Sequence, residues 1–359
     1  MANSAERFRL AMTNDVRAPR GSEVMADGAT RSAPAETRFG RVLVTGGEGF
    51  VGRHLCATLA AAGTQVVCVD NLSTSAPRLA ELPPGVQFVQ HDITAALPQP
   101  WADMGFDAIF HLASPASPPD YLRLPLATLR TGALGTATVL DLADRCGARV
   151  VLASTSEVYG DPLEHPQRES YWGNVNPIGP RSVYDEAKRY AEALAFAYHR
   201  DHGTDIGVAR IFNTYGPGMR PDDGRAVPTF CRQALCGMPL TVAGDGTQTR
   251  SLCYVDDTVA GLIALAARPV TGPVNIGNPV ELPVREIAEI IRDLAGADVP
   301  IEHHPAVTDD PQRRCPDITE ARELLGWEPS VSYHDGLTAT VGWFRDVLAT
   351  ADVPTAQAT

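Results

Sequence analysis

Arg41-Val42-Leu43-Val44-Thr45-Gly46-Gly47-Glu48-Gly49-Phe50-Val51-Gly52 decides the fold. Residues 41–45 form a short apolar run suited to a fully buried strand, and Leu55, Leu59 and Ala62 then recur at helical spacing. Between them the glycines stand at 46, 49 and 52. A strand-to-helix turn without side chains lets backbone approach a pyrophosphate seated on the helix N-terminus. The Gly-x-x-Gly-x-x-Gly spacing differs from the Gly-x-Gly-x-x-Gly dinucleotide fingerprint, and a tight turn wants glycine on steric grounds alone, so the next strand has to carry the weight. This second apolar strand, at 65–69, ends at Asp70, about twenty residues on, where a carboxylate can accept hydrogen bonds from an adenosine ribose and would repel a 2′-phosphate. The expected cofactor is therefore NAD rather than NADP.

The same alternation continues along the chain. A strand at 86–90 ends at His91-Asp92-Ile93, and one at 107–111 ends at Leu112-Ala113-Ser114. Next come a helix over 125–146, a strand that runs into Ser154-Thr155-Ser156-Glu157, a helix from Tyr184, and a strand at 207–212 delivering Asn213-Thr214-Tyr215. Strands and helices in this order predict an α/β fold, a doubly wound parallel sheet with its ligands at the carboxyl ends of the strands. Past Pro217 the pattern loosens. Helices are expected at 227–236, 257–267, 284–295, 318–325 and 334–349, with short strands at 240–242 and 274–276, and the last three helices complete a smaller C-terminal lobe.

Composition narrows the class. A chain of 359 residues with 44% apolar content can bury two modest cores. A net charge of −13 argues against a nucleic-acid or anionic-membrane surface. The seven cysteines are scattered and lack Cys-x-x-Cys pairs, which favours buried thiols over a disulfide framework or a zinc site, so no metal is expected. Residues 1–38 contain no apolar run, and a disordered tail on a cytoplasmic protein is the expectation.

The chemistry is expected at Tyr184 and Lys188. Four residues apart on one helix, the phenol and the ammonium share a face. A free phenol has a pKa of about 10, so it needs nearby positive charge to act as a base, and Lys188 is expected to supply it. A substrate hydroxyl between Thr155 and Tyr184 would lose its proton to the phenolate while its carbon gives hydride to an oxidised nicotinamide. Such Tyr/Lys pairs recur by chance on amphipathic helices, so the strand end carrying Thr155 gives the pair its meaning.

This Thr155, Tyr184-x-x-x-Lys188 arrangement resembles the short-chain dehydrogenase/reductase superfamily, and the interleaved second half resembles its extended branch, whose C-terminal lobe binds nucleotide-diphospho-sugars. The resemblance implies an NAD-binding Rossmann domain over 39–215, with 252–277 returning to it, a substrate lobe from 216–251 and 278–350, and a tail at 351–359. It implies cofactor contacts from Gly46, Gly49, Phe50, Val51, Asp70, Asn71, Ser73, Thr74, Asp92, Ile93, Leu112, Ala113, Ser114, Thr131, Tyr184, Lys188 and Thr214. Substrate contacts are expected from Tyr121, Thr155, Asn213, Arg250 and Arg314, the two arginines gripping a diphosphate. Family members commonly dimerise through helices matching 125–145 and 183–201, here carrying Leu126, Leu129, Leu134, Leu140, Ala191, Leu194, Ala195 and Tyr198, so a homodimer is expected.

His111-Leu112-Ala113-Ser114-Pro115-Ala116-Ser117-Pro118-Pro119-Asp120-Tyr121, Thr155-Ser156-Glu157-Val158-Tyr159-Gly160, Asn176-Pro177-Ile178-Gly179-Pro180-Arg181 and Asp309-Asp310-Pro311-Gln312-Arg313-Arg314 resemble UDP-glucuronate decarboxylases over nearly all of 40–348. The resemblance implies oxidation of the sugar at carbon 4, loss of carbon dioxide from the resulting β-keto acid, protonation at carbon 5 and return of the hydride. Tyr184 would be base and then acid, Thr155 would hold the 4-hydroxyl, and Glu157 and Arg314 match residues implicated in ring handling and proton delivery. A carboxylate facing a substrate carboxylate repels it unless protonated or paired. Three departures stand out: Gly132 after Thr131 where relatives carry Asn, Ala243 in place of an aromatic near the nucleotide base, and Cys315 in place of Lys. The rival readings are a sugar-nucleotide 4-epimerase or 4,6-dehydratase, which would carry no acid or an Asp-Glu pair at the Ser156-Glu157 positions, and a non-catalytic NAD-binding sensor or scaffold.

Overall fold

The runs that read as buried strands pair into one sheet. The computed structural model describes residues 39–75, 82–98, 100–305 and 311–350, and the expected tails at 1–38 and 351–359, like Asp309 and Asp310, lie outside them. Strands β1 (Arg41–Thr45), β2 (Gln65–Asp70), β3 (Val86–Gln90), β4 (Ala108–His111), β5 (Arg149–Thr155) and β6 (Ile206–Ile211) are joined at one edge by Val274–Ile276. Their order is Val274–Ile276, β6, β5, β4, β1, β2, β3, and every pairing is parallel. The chain works outward from β1 to β3, then returns to β4 on the other side. The carboxyl ends of β1 and β4 therefore flank the switch point, where a doubly wound sheet opens a crevice.

Parallel sheets are covered on both faces, so their strands are apolar throughout; all seven residues of β5 are buried. Alternation sends Val42, Val44, Val66 and Cys68 to one face and Leu43, Val67 and Val69 to the other. The first face packs under helices Phe50–Ala61 and Val255–Ala266, the second under Thr136–Cys146 and Ser182–His202. A third core gathers Tyr215, Phe230, Leu240, Ile287, Leu337 and Phe344 from helices Ala226–Leu235, Val284–Ala295 and Tyr333–Thr350 and the short strands Thr214–Tyr215 and Leu240–Ala243. Ile318, Ala321, Leu325 and Trp327 pack instead against the first face of the main sheet, and the helix expected at 318–325 is largely a π-helical turn, Ala321–Leu325. Among the described residues no helix is long and apolar enough to cross a membrane, and all seven cysteines are free.

The single helix expected over 125–146 is interrupted. It runs as Pro125–Arg130, a π-helical turn Thr131–Gly135, and Thr136–Cys146. The departure from Asn at Gly132 has a steric reason: a Cβ there would lie 2.7 Å from both the Cβ and the carbonyl oxygen of Ala187 on the long helix. The two helices meet where only a glycine fits. Gly132→Asn is accordingly expected to cost about 1–3 kcal/mol by overpacking, measured as a lower urea midpoint; an unchanged midpoint would refute this account of the contact.

Candidate active site

A cavity of about 480 Å³ opens along the carboxyl ends of β1, β2 and β4. The glycine turn forms its floor. A Cβ on Gly46 would lie 2.7 Å from the Ala113 backbone, and one on Gly52 would lie 2.3 Å from the Gly46 carbonyl. Helix Phe50–Ala61 starts at Gly49 without a side-chain cap, so its first N–H groups are left for an anion. The Asp70 carboxylate accepts from the Glu48 N–H at 3.0 Å and the Leu72 N–H at 2.8 Å, bracing the glycine turn from the next strand. Asn71 donates to Asp92 at 3.3 Å, tying the ends of β2 and β3 together. Gly46, Gly49, Phe50 and Val51 line this cavity with Asp70, Asn71, Ser73 and Thr74, and so do Asp92, Ile93, Leu112, Ala113, Ser114 and Thr131. An uncapped helix start, an obligatory glycine cradle and an acid at the end of β2 fit an NAD molecule.

A second cavity of about 490 Å³ contains Tyr121, Thr155, Glu157, Tyr184, Lys188, Asn213, Arg250 and Arg314. It adjoins the first, since Val51, Leu112, Ser114, Ala116 and Arg225 line both. Thr214, expected at the cofactor, lines this second cavity instead; its hydroxyl bonds to the Phe212 carbonyl and to Thr258, each at 3.0 Å. Ala243 and Cys315 are the other two departures. Ala243 lines the cavity, and Cys315 is buried with its N–H on Gln167 at 2.8 Å, a place unsuited to a lysine.

Tyr184 is held from two sides. Its ring stacks on Tyr121 with centroids 5.3 Å apart and 10° between planes, and its helix carries Lys188 one turn on. Burial, more than the nearby Lys188, dominates the proton affinity of the phenol. Burial pushes the Tyr184 phenol upward, the Glu157 carboxylate adds repulsion, and a hydrogen bond with the Thr155 hydroxyl and the charge of Arg225 oppose them only in part. Lys188 directs its ammonium to the Ala153 carbonyl at 2.7 Å, stands 5.9 Å from the Tyr184 ring centre, and is itself lowered by burial to about 8.

Glu157 sits between two guanidiniums. Arg314 donates through both terminal nitrogens, with Nη2 at 2.9 Å, and Arg181 donates at 2.7 Å. Burial alone would raise this carboxyl, but Arg314 and Arg181 outweigh it and hold it at about 2. Glu157 is therefore an ionised, paired acid. Arg314, expected to grip a diphosphate, is bound to Glu157 instead. Arg250 donates to the Thr249 and Pro311 carbonyls, each at 2.8 Å, and so pins the chain leading to Arg314.

Three charged residues in or beside the site were not legible as such. Arg181 lies one turn before Tyr184, and its i,i+3 relation to the phenol was the available signal. Arg225 faces both cavities from the turn-rich 217–225 stretch, with Asp223 bonding it at 2.5 and 2.7 Å; nothing in its local sequence marks it. Asp185 is buried, with one carboxylate oxygen lacking a partner among the described residues, and burial beside Glu157 pushes it up to about 7.

Known proteins are similar to this chain in sequence and fold. The family model described as the NAD dependent epimerase/dehydratase family matches residues 42–277. UDP-glucuronic acid decarboxylase 6 of Arabidopsis thaliana is 52% identical over 309 residues, covering 85% of this chain and 89% of its own length. UDP-glucuronic acid decarboxylase 1 of Xenopus tropicalis is 50% identical over 311 residues, covering 86% and 73%. Among solved structures, a variant of the UDP-glucuronic acid 4-epimerase from Bacillus cereus, in complex with UDP-4-deoxy-4-fluoro-glucuronic acid and NAD, superposes with a TM-score of 0.75 at 28% identity, covering 86% of this chain and 99% of that one. On the extent of these matches, the chain belongs to the NAD dependent epimerase/dehydratase family and, within it, stands with the UDP-glucuronic acid decarboxylases.

Proposed function

We propose that the chain converts UDP-glucuronate to UDP-xylose and carbon dioxide, with NAD as a cofactor regenerated in each cycle. The observation that carries this reading is the Arg181–Glu157–Arg314 cluster beside Tyr184 in one cavity. NAD, when bound, supplies a positively charged nicotinamide that takes hydride from carbon 4 of the sugar and later returns it. Thr155 orients the 4-hydroxyl, and Tyr184 removes its proton as hydride leaves. Burial raises the Tyr184 phenol, and the positive charge of a bound nicotinamide would favour its phenolate. The ketone made at carbon 4 turns the substrate into a β-keto acid, and carbon dioxide departs because the electrons left at carbon 5 delocalise into that ketone; carbon 5 then takes up a proton before the hydride returns to carbon 4. Tyr184 finally returns its proton to the carbon 4 oxygen.

Arg314, Arg181 and Arg225 give the cavity a cationic character suited to a sugar acid, with Glu157 and Asp223 leaving it one positive charge in excess among these five. The domains divide the work: 39–215 with 252–277 hold NAD, and 216–251 with 278–350 hold the uridine nucleotide. Leu126, Leu129, Leu134 and Tyr190 are 66%, 39%, 54% and 52% exposed on the two long helices, and they form a homodimer face, whereas Leu140, Ala191 and Ala195 are core. Leu134→Glu is expected to yield monomers by sedimentation at micromolar concentration; a dimer unaffected by it would move the interface elsewhere. Seven free thiols suit a reducing compartment, the cytoplasm.

The direct test incubates the protein with UDP-glucuronate and NAD and tracks carbon dioxide and the sugar by NMR. UDP-xylose without net NADH is the expected result. Epimerised UDP-galacturonate with no carbon dioxide would replace this reading by the epimerase, and NAD binding with no turnover of any nucleotide sugar would leave a sensor.

A further inference from the structure

Two segments far apart in sequence converge on Arg220 at the mouth of the cofactor cleft. Its Nη1 donates to the Thr74 carbonyl, its Nη2 pairs with Asp120 Oδ2 at 2.9 Å, and its Nε donates to Asp222 at 3.1 Å. The first two partners stand on opposite walls: Thr74 lies just past β2, and Asp120 belongs to the short helix Pro118–Arg123 beyond β4. Asp120 is itself fixed, by the Ser117 hydroxyl at 2.7 Å and Arg123 at 3.1 Å. The bridge is protected, with side-chain exposures of 18% for Arg220 and 7% for Asp120, whereas Asp222 is 81% exposed.

The stretch carrying Arg220 is anchored at both ends. His54 bonds the Pro217 carbonyl at 2.8 Å, Met219 is buried in the third core, and Asp223 holds Arg225. Gly218 and Gly224, at φ of 91° and 81°, bracket it, and a Cβ on Gly224 would come within 2.6 Å of Pro119. A fixed strap thus presses on one wall while its arginine reaches the other. A planar guanidinium spreads five donors over three nitrogens in a fixed fork and so reaches partners on different sides, whereas an ammonium directs its donors from a single nitrogen.

We propose that Arg220 is a positioning residue, a clasp that holds the two walls of the cleft together and retains the cofactor through the catalytic cycle. Its importance rests on the decarboxylase reading. That reaction has no net redox change, so the hydride taken from carbon 4 must return to the same sugar. Each premature opening of the clasp would leave one UDP-4-keto-pentose, one carbon dioxide and one NADH in solution, the two electrons from carbon 4 remaining in the nicotinamide and the proton lost by the 4-hydroxyl being offset by the one taken up at carbon 5.

The test measures NAD dissociation from the intact, loaded protein by stopped-flow chase, which does not depend on turnover. Arg220→Gln is expected to release NAD about tenfold faster or more, the loss of one buried charge-assisted bridge. Arg220→Lys should fall between, and Asp222→Asn should match the parent because an exposed pair contributes little. During turnover, Arg220→Gln should accumulate 4-keto-pentose nucleotide and NADH in equal amounts. Dissociation within about twofold of the parent from folded Arg220→Gln, or from Arg220→Lys should the first variant not fold, would overturn the clasp. Absence of carbon dioxide from the parent would overturn the decarboxylase reading and leave the dissociation result standing.

Discussion

Tyr184→Phe is expected to lower carbon dioxide release by about a thousandfold or more, with NAD binding and the melting temperature close to those of the parent. The substitution removes one hydroxyl and keeps the ring, whose face stays against Tyr121 at 5.3 Å. Folding therefore loses little. Catalysis loses the group that takes the proton at the first step and returns it at the last, and positioned acid–base groups contribute about 10²–10⁴-fold. The measurement is single-turnover release of carbon dioxide together with nicotinamide absorbance. No absorbance change and no carbon dioxide place the failure at oxidation, as expected; NADH that forms and persists would instead assign Tyr184 to the return of hydride alone. A loss smaller than about tenfold would remove it from both roles.

The sequence carries information of two kinds about such a site. Period and punctuation are local, so the strand at 41–45, the glycine turn and the helix with Tyr184 and Lys188 could be located from residues a few positions apart. The position of the two cavities is then set by the switch point, because the strand ends at Asp70, Leu112, Thr155 and Asn213 must gather there. Pairings across the cleft are not written locally. Arg314 and Glu157 are 157 residues apart, and only the fold brings them together, which is why Arg314 could be assigned to a diphosphate. Charges are legible but their environment is not: Lys188 and Tyr184 stand at the right spacing, yet burial is the largest influence on both of their proton affinities, raising the phenol and lowering the ammonium. Helical periodicity likewise predicted 125–146 correctly as helical and could not register the close approach of Ala187 to Gly132 that accompanies the π-turn.

Glu157→Gln should cut turnover by about a hundredfold and alter the pH dependence of stability in a defined direction. The wild-type carboxyl is held at about 2, against an ordinary value of 4.5, because Arg314 and Arg181 outweigh its burial. A depressed folded-state value contributes stability above the unfolded pKa and loses it as pH falls through the folded one. Here the window runs from about pH 4.5 down to about 2, and the contribution at neutral pH is about 3 kcal/mol. Urea unfolding of the wild type should therefore lose about that much across the window beyond the loss shown by Glu157→Gln. Arg314→Met should be the more damaging to stability, since it leaves a buried carboxylate with Arg181 alone; breaking a buried pair from one side costs about 3–5 kcal/mol. The double variant should be more stable than the sum of the two single losses predicts, because the charge left unpaired by one change is removed by the other. Additive losses, or acid unfolding curves of identical shape for the wild type and Glu157→Gln, would show that the two guanidiniums do not hold Glu157 ionised. That outcome would return Glu157 to the protonated form in which it could deliver the carbon 5 proton itself.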